Sequence, residues 1–396
     1  MNLKQLGSIA IVSGTAIGAG MLALPLATAA LGIIPASILM LLVWGLSAYT
    51  SLLMLELNLR SGVGENFHAI CGKLLGRKGQ LIQSAAFLSL LFALTAAYLT
   101  GGASLLMLRA ESLFNFTISN EIAVLLFALG LGIFAALGVA WVDKLSRLLF
   151  SVMIVLLVMV VVFLLPESSP SQMLEVVRDS SSSHPWMVAI PVVFTSFGFH
   201  VCIATLVRYL DGDTASLRKV LLIGSAIPLV CYILWLVVTL GTVGANEISL
   251  FGGSLSKLID ALQQISANPF ISNAISIFAD LALVTSFLGV TLSLFDYIAE
   301  LVGSNNKLNG RIGTWLLTFV PPLALALFMP EGFVAILGYA AISLVVFIVF
   351  LPIAMAYKQR QQIQTGYQVM GGHVALMLAA IFGVVIIAAQ LVSAWG

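Results

Sequence analysis

Ser13-Gly14-Thr15-Ala16-Ile17-Gly18-Ala19-Gly20, with Pro25 shortly beyond, interrupts an apolar run at the start of the chain. A second stretch, Phe194-Thr195-Ser196-Phe197-Gly198-Phe199-His200, interrupts another apolar run about 180 residues later, with Pro191 just before it. Gly disfavours helix by about 1 kcal/mol per residue relative to Ala, and Pro by about 3. Three Gly within seven residues therefore soften the first run. In hydrocarbon, unwound backbone is tolerated where it is buried in protein or lines a cavity. Interrupted helices in matching halves of a membrane protein point to a binding site. The competing reading of Gly14-x-x-x-Gly18 is close helix packing.

Outward from these stretches, the chain of 396 residues is 61% hydrophobic and 8% charged, with a mean hydropathy of +1.12. Water-soluble proteins carry about 25% charged residues, so the class is an all-α polytopic membrane protein. Apolar runs that do not alternate exclude an outer-membrane barrel. A net charge of +1 suggests no nucleic acid partner. Cys71, Cys202 and Cys231 lie far apart in sequence and form neither a metal-ligand spacing nor a disulfide framework. No cofactor or metal is expected. The apolar stretch after Lys4 is too long for a typical signal peptide, so cleavage is not expected.

Eleven spans long enough to cross about 30 Å of hydrocarbon fall near 6–30, 33–59, 81–108, 121–141, 147–165, 186–208, 219–243, 271–300, 312–329, 333–356 and 373–394. They form one integral domain, 1–396. Spans one to five (1–165) and six to ten (186–356) can be laid over each other, and span eleven (373–394) stands apart. Five is odd, so the second set enters the membrane from the opposite side, which gives an inverted repeat. With the N-terminus in the cytoplasm, Arg109, Arg178 and Lys257 fall outside and the other fourteen of the 17 Lys and Arg inside. The C-terminus is then outside. Glu167 to Pro170 and the run Ser180 to Ser183 read as a flexible outer loop. Leu255, Leu258, Ile259 and Leu262 predict a short helix lying on the membrane surface, and residues 65–80 an amphipathic interfacial turn.

A broken helix exposes N–H groups at the start of its second half, where the dipole favours a carboxylate. Its first half ends in carbonyls that suit a cation or an ammonium. Asp280 lies near the middle of span eight, where a carboxylate is costly. It is either a proton carrier or a hydrogen-bonded strut. His200 is either a gate or proton relay or a neutral, hydrogen-bonded side chain. Glu56 and Arg60, spaced i and i+4, predict a helix-end ion pair. A transporter is favoured over a channel because the polar residues cluster at midplane breaks rather than lining several helices. No His-Glu-x-x-His, Gly-x-Ser-x-Gly or P-loop pattern supports an enzyme or an ATP-driven pump.

Gly14-Thr15-Ala16-Ile17-Gly18-Ala19-Gly20-Met21-Leu22-Ala23-Leu24-Pro25 resembles the first-helix signature of bacterial aromatic amino acid permeases. The stretches 194–200, Phe278-Ala279-Asp280-Leu281-Ala282-Leu283, Thr285-Ser286-Phe287-Leu288-Gly289-Val290 and Leu294-Phe295-Asp296-Tyr297 resemble the same family, and the likeness spans nearly the whole chain. The resemblance implies a leucine-transporter-like fold of five plus five helices with discontinuous helices one and six. It implies a bacterial inner-membrane protein that imports an aromatic amino acid with a proton, with tyrosine ahead of tryptophan or phenylalanine and sodium as the alternative ion. On that reading, backbone from Gly14 to Gly20 takes the substrate carboxylate, and Thr195, Ser196, Phe197, Gly198 and Phe199 complete the clamp beside His200. Phe197 and Phe199 either wall an aromatic side chain or belong to the core. The Tyr98 hydroxyl either reaches the carboxylate or packs. Asp280 and His200 are the proton-coupling candidates. Thr285 and Ser286 are the cation-site candidates, as their counterparts are in sodium-coupled relatives of the fold.

Overall fold

A computed structural model describes residues 2–137, 139–175, 177, 184–266, 268–303, 308–362 and 365–395. Arg178, Lys307 and the run Ser180 to Ser183 lie outside the described residues, as do the side chains of Lys144 and Arg311. Among the described residues every regular element is helical. In chain order they are α1 (Leu3–Ala16), α2 (Ala19–Thr28), α3 (Ile33–Ser61), α4 (Phe67–Phe114), α5 (Asn120–Leu137), α6 (Val139–Leu164) and α7 (Pro170–Met173). There follow α8 (Pro185–Ser196), α9 (Ile203–Tyr209), α10 (Thr214–Thr242), α11 (Ala245–Leu250) and α12 (Leu255–Ile265). The chain ends with α13 (Pro269–Val302), α14 (Leu308–Phe328), α15 (Phe333–Val345), α16 (Leu351–Gln362) and α17 (Gly372–Ser393).

Among the described residues, eight helices or helix pairs are long and apolar enough to cross a membrane, and α1 with α2 makes a ninth, bent by 50°. Two more apolar helices, Asn120–Ile133 and Ile312–Phe328, are shorter and coincide with the fourth and ninth sequence spans. The spans read from sequence thus match helices, nine of them at full crossing length.

Local chemistry explains the terminations. Asn2 caps α1 by accepting from the Gln5 N–H at 2.9 Å, and Asp213 caps α10 through the N–H groups of Ala215 and Ser216. Gly76 takes φ +69°, which splits α4 into a short leading helix and the long span. The leading helix occupies the segment expected at 65–80, and its Ile70, Cys71 and Leu74 are buried against the bundle. The amphipathic helix expected after span seven also exists, as α12. Its apolar side does not lie on lipid, however. Leu255, Leu258, Ile259 and Leu262 are all buried against the bundle, where α12 packs on α13 and α4. The protein supplied a closer apolar surface than the membrane did.

The core is built around the broken helices. α1 lies on α10, α2 on α8, α15 on α4 and α13 on α6. The close α1–α10 approach is permitted at Gly224, where a Cβ would stand 2.7 Å from Val12 Cβ.

Candidate functional site

The first break is shorter than the glycine pattern suggests. α1 continues through Gly14 and Thr15 to Ala16, and the unwound residues are Ile17 and Gly18. Gly14 remains helical and provides room for the Phe150 ring, 3.0 Å from where its Cβ would stand. The hydroxyl of exposed Thr15 donates back to the Ile11 carbonyl at 2.7 Å. Gly18 has φ −178°, extended backbone open to any residue. Its small size matters for another reason: a Cβ there would collide with Ser286 Oγ. That oxygen accepts the Ala19 N–H at 2.8 Å. Ser286, from α13, thereby does for α2 what an N-cap side chain ordinarily does from within the same chain segment.

The second break spans Phe197, Gly198 and Phe199. Phe197 N–H returns to Phe194 O at 3.1 Å and Gly198 N–H to Thr195 O at 3.2 Å, and a single 3₁₀ turn, His200–Cys202, leads into α9. The Thr195 hydroxyl donates to Leu337 O at 3.0 Å, fixing the end of α8 to α15. The Ser196 hydroxyl donates to Val192 O at 2.9 Å and reaches Gly20 O at 3.3 Å. A Cβ on Gly20 would stand 3.1 Å from the same hydroxyl. The two breaks, far apart in sequence, thus meet.

Tyr232 of α10 joins them, and its role has no local sequence signature. Its buried hydroxyl lies 2.7 Å from Ala16 O and 2.8 Å from Ser196 O, the last residues of α1 and α8. Two helix ends with partial negative charge converge on one hydroxyl with one proton to donate. Phe197 sets the ring edge-on, with centroids 5.1 Å apart. Pro228 lies four residues earlier in the same helix. Proline brings no N–H for Gly224 O, and Ser13 Oγ donates to that carbonyl instead, at 2.9 Å. This ties α1 to α10 just below the break.

The remaining predicted residues divide by position. Phe197 and Phe199 are both fully buried, and Phe199 stacks on the His200 ring at 4.8 Å. His200 Nε2 stands 3.2 Å from Ser47 O and 2.8 Å from Thr50 Oγ1, so Nε2 carries the proton and donates to α3. Its Nδ1 is buried with no hydrogen-bond partner among the described residues. Tyr98 is buried on α4. The Thr285 hydroxyl donates to Leu281 O at 2.8 Å, so it serves its own helix while Ser286 serves the break.

Asp280 lies six residues before Ser286 on α13. Arg109 Nε donates to its Oδ2 at 3.2 Å. Gln263 of α12 lies 3.5 Å from Arg109 Nη1 and donates to Ser276 Oγ at 2.8 Å. This polar cluster ties α4, α12 and α13 together. The Asp280 side chain is 38% exposed.

A cavity of about 560 Å³ lies at the other end of the bundle. Its floor is His200 and Val201, and its mouth is at exposed Arg208 and Glu300. Val201 is 49% exposed although it sits two residues past the second break. No residue from 14–20 or 195–199 lines this cavity.

Comparison with known proteins places this sequence in a group. The sequence pattern of the tryptophan/tyrosine permease family matches residues 1–390. Tyrosine-specific transport system 1 of Haemophilus influenzae is 38% identical over 388 residues, which cover 97% of this chain and 95% of that protein. Tyrosine-specific transport system 2 of the same organism is 35% identical over 399 residues, covering 99% and 97%. Glutamine transporter 2 of Aliivibrio fischeri is also 35% identical, over 400 residues covering 99% and 100%.

Proposed function

This chain belongs to the tryptophan/tyrosine permease family of membrane transport proteins, and from that premise we propose that it imports an aromatic amino acid, L-tyrosine first, by proton symport and alternating access. The observation that carries the reading is the meeting of two broken helices on the Tyr232 hydroxyl. The ends of α1 and α8 carry partial negative charge suited to an ammonium, and the start of α2 carries partial positive charge suited to a carboxylate. A zwitterion fits between such ends. Phe197 and Phe199 give the neighbourhood its aromatic character. On this reading the side-chain pocket, rather than the backbone clamp, selects the substrate, in keeping with a glutamine transporter among the relatives.

The proposed architecture has eleven crossings. One repeat runs from α1–α2 through α3, α4 and α5 to α6. The other runs from α8–α9 through α10, α13 and α14 to α15–α16, with α17 outside both. Each repeat then opens on a broken rod. The N-terminus is cytoplasmic, the C-terminus periplasmic and the membrane the bacterial inner one, in keeping with the bias of Lys and Arg. Asp280 is the proposed proton carrier, because it is a partly exposed acidic side chain within a membrane helix. His200, held by α3, is the proposed hinge anchor of the second break.

The test is uptake of labelled tyrosine into proteoliposomes under an imposed pH gradient or sodium gradient, one at a time. Saturable accumulation driven by the pH gradient supports the proposal. Accumulation driven by sodium alone transfers the coupling to Thr285 and Ser286, and flux that does not saturate indicates a channel.

A further inference from the structure

The cavity beneath the second break is walled by a continuous set of four aromatic rings. Phe87 of α4 stands edge-on to Tyr297 of α13, centroids 5.1 Å apart, and is tilted against Phe347 at 5.2 Å. Phe347 in turn meets Phe67 edge-on at 5.1 Å. Phe347 sits in a π-helical turn, Val346–Phe350, between α15 and α16. Such turns insert an extra residue and occur frequently at functional sites. The wall is fixed in place. Tyr297 donates its hydroxyl to Ser84 Oγ at 2.8 Å, and His68, which also lines the cavity, is held by Gln83 at 2.7 Å.

A passage for a polar solute needs no such wall. Aromatic surface facing water is unfavourable unless something covers it. Opposite charges complete the arrangement at the mouth. Arg208 uses one Nη to donate to Gly64 O at 2.9 Å and keeps its other donors, while Glu300 is exposed. The volume falls within the ~300–1,000 Å³ of small-molecule sites, and Asn58, Asn66, His68, Gln83 and Thr205 add polar groups to the aromatic lining.

We propose that this cavity is a second binding station for the aromatic α-amino acid, separate from the clamp at the broken helices. The substrate ring joins the Phe87–Phe347 wall, its carboxylate meets Arg208, and its ammonium meets Glu300. The assignment rests on the transport reading above and adds a site that the breaks do not contain. An amino acid held there after leaving the clamp, or entering from the same side, occupies the path and slows the next turnover.

The test is equilibrium binding of labelled L-tyrosine to the purified full-length protein in nanodiscs. Two molecules per chain are expected. Phe87→Ala and, independently, the milder Glu300→Gln each remove one molecule and leave the affinity of the other unchanged. Gly18→Leu, which obstructs the first break, leaves the cavity molecule bound. One molecule per chain, lost in Gly18→Leu and unaffected by both cavity variants, overturns the second station and leaves the clamp standing. One molecule lost in the cavity variants but retained in Gly18→Leu overturns the clamp, and the cavity is then the single site. No binding of any aromatic amino acid overturns the transport reading itself.

Discussion

Gly18 shows how a single missing methyl group organises the break. Its backbone is extended, so the constraint is space: a side chain there displaces Ser286 from the Ala19 N–H. Gly18→Ala is expected to cost about 1–3 kcal/mol through overpacking. Ser286→Ala, which loses an N-cap interaction, costs about 1 kcal/mol. The double variant is expected to be less damaged than the sum of the two, because the collision partner is gone, and thermal unfolding of the three proteins measures this coupling. Tyr232→Phe removes the donor shared by two buried carbonyls. It is expected to cost about 1–3 kcal/mol and to weaken tyrosine binding, read by unfolding and by equilibrium binding together. At this scale the sequence was informative where the backbone chemistry is local. Glycines and prolines marked both breaks to within a few residues. Tyr232 was not legible, because its partners lie 216 and 36 residues away and an aromatic residue in an apolar helix carries no other mark.

Between elements, the contacts are set by what each helix leaves unsatisfied or unfilled. Gly224→Val places a side chain against Val12 and the Ile9 carbonyl and forces α1 from α10. Lower thermal stability is expected, and weakened tyrosine binding with it, since Ala16 moves relative to Tyr232. A buried carboxylate makes the strongest tie elsewhere. The i, i+4 spacing of Glu56 and Arg60 announced an ion pair, and Arg60 Nη1 does lie 3.8 Å from Glu56 Oε1. The closer partner is Arg360 of α16, whose Nε and Nη2 donate to the two carboxylate oxygens at 2.8 and 2.7 Å. The Val369 N–H adds a third bond at 2.8 Å. One fully buried side chain thus joins α3, α16 and the segment before α17. Glu56→Ala leaves two guanidinium groups without their carboxylate and is expected to cost about 3–5 kcal/mol, seen as loss of monodisperse protein or a large fall in melting temperature. The near partner was readable from helix geometry. The far one, 304 residues away, required the fold.

For the molecule as a whole, the question is how charge movement is linked to opening and closing. Asp280 stood out in the sequence as a lone carboxylate in an apolar span, and Arg109 as a cation at the far end of another. Their pairing, across 171 residues, was not legible from either position. The pair has two readings with different consequences. As a strut it needs opposite charges between α4 and α13, whichever helix carries which. As a proton carrier it needs the carboxyl on α13, where protonation neutralises Asp280, frees Arg109 and loosens α12 from its neighbours through Gln263. Asp280→Asn mimics the protonated state permanently. It is expected to abolish accumulation driven by a pH gradient while tyrosine exchange between the two faces continues. The exchanged pair, Asp280→Arg with Arg109→Asp, is expected to recover stability without recovering accumulation. Both are measured in proteoliposomes of fixed orientation. Full accumulation by the Asn variant, or by the exchanged pair, assigns the two residues to the frame, because a carrier cannot be replaced by a group that never binds a proton or be moved to another helix without breaking the linkage between protonation and the closing of α12.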